Sequence, residues 1–202
     1  MKVRYITIER EYGSGGTETA KLLSEQTGIP CYGMEIIKAA SEKLGKSISE
    51  IQDQEESTTN SFLYTMYLMG KARSGDSTML SSEGAVFVAE QEAIRNFAAK
   101  GSAIFVGHCA SESLKGFQNV VKVFIRCSDN SLKNSRITEK YGIPSEKAEA
   151  TRKKFDNKRA HYYQCNTGEQ WNDLTRYNIV LDSGIIGVEG CAAALKGLLD
   201  MN

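Results

Sequence analysis

Apolar residues fall into two rhythms along this chain. Four stretches are short and almost continuously apolar. They are Val3 with Tyr5, Ile6 and Ile8; Ala103-Ile104-Phe105-Val106-Gly107; Val120-Val121-Lys122-Val123-Phe124-Ile125; and Asn178-Ile179-Val180-Leu181-Asp182. Runs of this length, rich in β-branched residues, predict strands. Strands that lose their alternation are covered on both faces, as in a parallel sheet. Between them the apolar positions recur at helical spacing: Ala20, Leu22 and Leu23; Ile36, Ile37, Ala40 and Leu44; Val86, Val88, Ala89, Ala93, Ile94, Phe97 and Ala98; and a last amphipathic helix over 188–199. Strands separated by helices predict an α/β fold with right-handed crossovers and helices on both faces of the sheet.

Turn and cap residues place the boundaries. Gly28-Ile29-Pro30 stops the first helix, and 28–33 reads as a turn before a helix over 34–44. Ser47 and Glu50 have the spacing of a capping box, in which each side chain satisfies the other's free amide. A polar segment follows to residue 59, with the character of a solvated helical face. Residues 62–69 make the most apolar helix, expected to be buried or to form a homodimer. Residues 71–82, with Arg73 and Gly75, predict a loop, and a long helix over 83–100 ends at Gly101. No internal repeat or low-complexity linker divides the chain.

Composition narrows the function classes. The 202 residues suit one domain with an inserted subdomain, and 41% hydrophobic with 25% charged residues is ordinary globular usage. Lysine plus arginine equals aspartate plus glutamate, which argues against generic binding to nucleic acid or a membrane surface. No apolar run has the length of a membrane span, and the N-terminal residues lead into a strand rather than a signal peptide. Five cysteines without CxxC spacing read as reduced cytoplasmic thiols, and two histidines without HExxH spacing argue against a transition-metal enzyme.

The first strand runs into Gly13-Ser14-Gly15-Gly16-Thr17-Glu18, and a helix follows at once. Glycine permits backbone angles closed to other residues and close approach of a ligand. A helix N-terminus fed by such a loop gathers free amides and partial positive charge, which suits phosphate. The plainer alternative is a flexible strand-to-helix turn. A full P-loop needs a lysine followed by Ser or Thr, and here Gly16 is followed by Thr17, Glu18 and Thr19.

A second chemical segment spans 128–171. Ser128-Asp129-Asn130 predicts an N-cap for a helix carrying Lys133, Arg136 and Lys140, which Gly142 and Pro144 end. The next helix places Arg152, Asp156 and Arg159 on one face, with the carboxylate spaced to reach either guanidinium. Two guanidinium forks aimed at one point bind phosphate oxygens and offset the charge of a moving phosphoryl group. A solvated face with weak ion pairs is the alternative for this helix taken alone.

Taken in order, these elements resemble the nucleoside monophosphate kinases, and among them the cytidylate kinase-like family, over nearly the whole chain. The resemblance is carried by Ile6-Thr7-Ile8 with Gly13-Ser14-Gly15-Gly16, by Gly28-Ile29-Pro30-Cys31-Tyr32 with Glu35-Ile36-Ile37, and by Gln91 to Phe97 with the following strand. It continues in Arg152-x-x-x-Asp156-x-x-Arg159 and in Val180-Leu181-Asp182-Ser183 with Val188-Glu189. It implies a P-loop α/β fold in one domain, with a core of about 1–33, 83–130 and 175–202, a helical acceptor-side insertion of about 34–82 and a lid of about 131–174. It implies transfer of the γ-phosphoryl of ATP, with Mg²⁺, to a nucleoside monophosphate such as CMP or dCMP. The amides of Gly13 to Thr17, with Glu18 adjacent, would hold the donor phosphates. Arg136, Arg152 and Arg159 would close over the transferring group, with Asp156 orienting them. Glu35, Arg73, Gln91, Gly107 and His108 would meet the acceptor. The metal would arrive with ATP, the Thr17 hydroxyl being the one protein group in reach.

Three departures from the family pattern stand out: no P-loop lysine, Gly33-Met34 where relatives tend to have an aspartate and a basic residue, and His108 where an arginine is usual. Glu18 sets a further carboxylate near the donor phosphates, while Arg10 and Lys21 are the cations in reach. These changes predict a kinase-like protein with weak or altered activity, or a nucleotide-binding regulatory protein on a degenerate kinase fold.

Overall fold

The computed structural model describes residues 3–57 and 82–200. Five strands, β1 (Tyr5–Arg10), β2 (Cys31–Tyr32), β3 (Ala103–Val106), β4 (Val120–Arg126) and β5 (Ile179–Asp182), form one parallel sheet in the order β2-β3-β1-β4-β5. β1 is central, with Ile8 opposite Val106 on one side and Val123 on the other. The strand over Cys31–Tyr32 lies within the stretch read as a turn; its two residues pair with Ile104 and Phe105 of β3, a contact set by the edge of the sheet and not by local pattern.

Alternation along the strands feeds two cores. Tyr5, Ala103 and Phe105 pack with Ile36, Ile94 and Ala98 of helices α2 (Met34–Leu44) and α4 (Ser82–Ala99). Ile6, Ile8, Ile104, Val106, Val123 and Ile125 pack with Ala20, Leu23 and Leu195 of helices α1 (Gly16–Thr27) and α8 (Ser183–Asp200). Burying both faces of β1, β3 and the end of β4 explains why those apolar runs are continuous and gives the three-layer αβα arrangement, while β5 at the edge leaves Val180 exposed. The last helix begins at Ser183, earlier than the apolar pattern indicates, and breaks its helical angles at Gly187, where φ is 70°.

The remaining helices complete the described residues. They are α3 (Ile48–Ser57), the short α5 (Ala110–Ser113), α6 (Asn130–Tyr141) and α7 (Ser145–Thr167), with a 3₁₀ turn at Leu174–Arg176. The capping box forms before α3, the Glu50 carboxylate accepting from the Ser47 amide at 2.7 Å. Asp129 caps α6 by accepting from the Leu132 amide at 3.0 Å. Arg73 and the 62–69 helix expectation lie outside the described residues.

Candidate functional site

The site begins where β1 ends. Gly13 and Gly15 take left-handed angles, φ 77° and 78°. A Cβ on Gly13 would sit 2.8 Å from the Lys133 carbonyl oxygen, and one on Gly15 2.7 Å from Cγ2 of Val188. Both conformation and space therefore demand glycine here. Gly15 is the N-cap of α1 and no side chain caps the helix, so its first turn faces the loop with uncapped amides.

The back of this loop is held by cations from α6. Arg136 Nη1 donates to the carbonyls of Gly13 (3.3 Å) and Ser14 (3.0 Å) and to Ser183 Oγ (3.1 Å). Lys133, buried, donates to Glu11 Oε2 at 2.9 Å, and the same oxygen accepts from the Cys127 amide at 3.0 Å. Lys140 donates to Glu18 Oε1 at 2.9 Å. Burial would raise the Glu18 carboxyl, but this bond and its own amide hold it below the usual range. The carboxylate expected to repel donor phosphates is thus already paired.

Beside the loop, at Thr17 in the first turn of α1, lies a cleft of about 920 Å³. Its walls include Glu9, Arg10, Thr17 and Lys21 from the β1–α1 unit, Gly33 and Glu35 at the start of α2, His108 after β3, and Phe155, Lys158 and Arg159 of α7. α7 is tied to the loop through Tyr12. Asp156 Oδ1 accepts from the Tyr12 amide at 2.6 Å. The Tyr12 ring stacks on Phe155 at 4.6 Å between centroids and on Tyr141 at 5.2 Å, and the Arg159 guanidinium lies 5.3 Å from its centre. Arg159 donates to the Arg10 carbonyl at 2.9 Å. Its pKa is lowered to about 10, first by burial and then by the charge of Arg10. Asp156 lies 3.9 Å from Arg159 and forms no ion pair with Arg152 among the described residues; burial raises its carboxyl despite the Tyr12 amide. Arg152 Nε is buried without a hydrogen-bond partner among those residues.

The profile of the cytidylate kinase-like family matches residues 5–185, which takes in the loop, the cleft and α7. The chain belongs to the cytidylate kinase-like family. Among solved structures, an uncharacterized protein from Eubacterium ventriosum is similar over 100% of both chains, at 24% identity and a TM-score of 0.71. Shikimate kinase from Bacteroides thetaiotaomicron is similar over 98% of both chains, at 13% identity and a TM-score of 0.54. These likenesses show the fold. No curated protein matches the chain.

Within this cytidylate kinase-like fold the acceptor-side candidates separate. Glu35 lines the cleft, its Oε2 accepting from the Gly33 amide at 3.1 Å. Gln91 is buried behind the wall and donates to the His108 carbonyl at 3.0 Å. His108 takes φ 57° and its Nδ1 lies 3.1 Å from Glu90 Oε1, while Glu90 Oε2 accepts from the Tyr162 hydroxyl at 2.5 Å. Gly107 (φ 76°) leaves no room for a Cβ, which would overlap Arg10 Nη1. Among the described residues no group of three His, Cys, Asp or Glu could hold a metal. Thr17 faces the cleft and fits a Mg²⁺ carried in on phosphate oxygens, which needs few protein ligands.

The α6 cations that brace the loop escaped sequence reading as a bracing set. Lys133 and Glu11 are 122 positions apart, and only the packing of α6 behind the loop brings them together. Tyr12 and Phe155 were unmarked for the same reason, since no local pattern announces a stack between a loop and a distant helix.

Proposed function

We propose that this protein transfers the γ-phosphoryl group of ATP, bound with Mg²⁺, to a nucleoside monophosphate or related small acceptor, with CMP and dCMP the first candidates. What supports this reading is one observation: the partly buried Arg159, held by the Arg10 carbonyl, lines the same cleft as Thr17, the residue that follows the glycine loop. Phosphoryl transfer asks mainly for positioning and charge stabilisation, and a helix N-terminus that shares a cleft with a fixed guanidinium offers both. Residues 13–18 would receive the donor phosphates, and the Thr17 hydroxyl would help hold the Mg²⁺ that offsets their charge. Arg159 and Arg152 offset charge on the transferring group, Asp156 keeps α7 on the loop through Tyr12, and Arg136 keeps the loop in shape. The acceptor lies toward Glu35, Gly107 and His108, with Gln91 behind them and Arg73 from the 34–82 segment. In this scheme 131–174 acts as the lid that excludes water. The five free cysteines support a cytoplasmic site of action, and among the described residues no helix is long and apolar enough to cross a membrane. A homodimer through 62–69 is tested by mass in solution.

Thr17 in place of the lysine favours a second reading, a regulatory protein that binds nucleotide without turning it over. Incubation of the protein with Mg-ATP and a panel of nucleoside monophosphates separates the two. Phosphorylated CMP or dCMP, lost in Arg159→Ala, is the expected result. Saturable ATP binding with no phosphorylated product from any acceptor in the panel favours the regulator.

A further inference from the structure

We infer that Arg10 takes the place of the absent P-loop lysine, supplying the cation that grips the outermost phosphate of the donor. This rests on the nucleotide-dependent reading above. In a P-loop the lysine projects from the position after the last glycine and reaches the β- and γ-phosphates. Here that position is Thr17, and Arg10 approaches the same space from the strand. Its stem lies across the first residue of α1: a Cβ on Gly16 would be 2.5 Å from Arg10 Cβ and 2.9 Å from Cγ. Its guanidinium then crosses toward the end of β3, where it fills the space a Cβ on Gly107 would need. Two glycines, one on each neighbouring segment, make the channel that this side chain occupies.

The partners of the surrounding cations sharpen the assignment. Arg136, Lys133 and Lys140 are engaged by acceptors of the protein itself. Arg10 makes no side-chain hydrogen bond or ion pair among the described residues, and its Nε is buried without a partner there. A guanidinium without an acceptor is costly, and because Arg10 lines the cleft a phosphate oxygen there would meet its terminal Nη donors rather than the enclosed Nε. The charge of Arg10 is, after burial, the next cause that lowers Arg159, a repulsion that an anion between the two would relieve. The adjacent carboxylate does not serve that purpose alone, because Glu9 Oε2 is directed to the Trp171 indole N–H at 3.2 Å. An arginine suits the role from this distance. Its fork presents several donors at the end of a long stem, where a lysine would present one ammonium.

The test compares Mg-ATP with Mg-ADP by titration calorimetry on the whole protein, without acceptor. Arg10→Met keeps the stem packed on Gly16 and removes the charge. It should weaken ATP binding by about 10- to 100-fold, as loss of one charge-assisted phosphate contact does, and leave ADP within a few-fold. Arg10→Lys should recover part of the loss, and Gly107→Ala, which displaces the guanidinium, should reproduce it; thermal melts establish that each variant is folded. An unchanged ratio of ATP to ADP affinity in folded Arg10→Met overturns the role of Arg10 and leaves the kinase reading intact. Unaltered protein that binds neither nucleotide overturns both.

Discussion

The back and the front of the glycine loop are both lined with positive charge, yet they use it differently. Behind the loop, Arg136 is shared among two carbonyls and a hydroxyl, Lys133 is held by Glu11, and Lys140 by Glu18. In front, Arg10 keeps a buried Nε without a partner among the described residues, and Arg159 hydrogen-bonds the Arg10 carbonyl with Asp156 no nearer than 3.9 Å. Net attraction in a phosphate site therefore cannot be counted from lysines and arginines near it. Charge that is already satisfied shapes the loop; charge left unsatisfied is what a ligand encounters. The two sides should respond differently to mutation, the front in turnover and the back in stability.

The largest effect is expected at the front. Arg159→Leu removes a guanidinium from the cleft while preserving volume against Tyr12. Under the proposed transfer its loss should lower kcat by about a thousandfold, the scale set by other arginines that stabilise transferring phosphoryl groups. Single-turnover assays with the accepted monophosphate measure this. A drop of less than tenfold with an unchanged melt would remove Arg159 from the chemistry and leave it a strut between α7 and β1.

At the back, Lys133→Met should cost stability instead. It strips the Glu11 carboxylate of its cation and leaves only the Cys127 amide. The Lys133 side chain is 6% exposed and that of Glu11 27%, so the penalty falls between the buried and surface limits, at about 2 kcal/mol. Denaturant unfolding reads it directly. Adding Glu11→Gln should recover part of the loss, since a neutral amide is cheaper to leave unpaired. A double-variant penalty equal to the sum of the two single-variant penalties would mean that the pair is not coupled.

The contrast also marks how far sequence reading reaches. Three of the four strands were legible because burial on both faces writes continuous apolar runs, the edge strand β5 because Ile179, Val180 and Leu181 are β-branched or apolar, and the capping box and the Asp129 cap because their partners are three residues away. Cys31–Tyr32 was not, because two residues between Pro30 and Gly33 carry no period and their pairing partner lies in β3. The arginine face of α7 could be drawn from spacing, but of the two arginines spacing joined to Asp156 only Arg159 pairs with it, at 3.9 Å, and its carboxylate also accepts from the Tyr12 amide, 144 positions away. Glu18 illustrates the same limit: its neighbours in sequence suggest a repulsive charge, and Lys140 from α6 cancels it. Which cations are satisfied is a property of packing, and so the division between back and front appears only in three dimensions.

The smallest effect is one of sign. Glu9 is buried beneath the front cations, and burial raises its carboxyl above the ordinary 4.5 even though Arg10, the Trp171 N–H, Arg159 and His108 all pull it down. A carboxyl with a raised folded value contributes stability below its unfolded value and loses that contribution as pH rises through the folded one. Above its unfolded value Glu9 is therefore a net cost, tolerated beside guanidinium groups that face the cleft. Glu9→Gln keeps an acceptor for Trp171 and removes the titrating group. Its melting temperature should exceed that of the unaltered protein at about pH 7.5, and the gap should close near pH 4, where both side chains are neutral. A gap that stays constant across that range would mean Glu9 acts through shape alone. If Glu9 also tempers Arg10, the same variant should bind Mg-ATP slightly more tightly at neutral pH, because the unsatisfied front of the loop would then be more positive still.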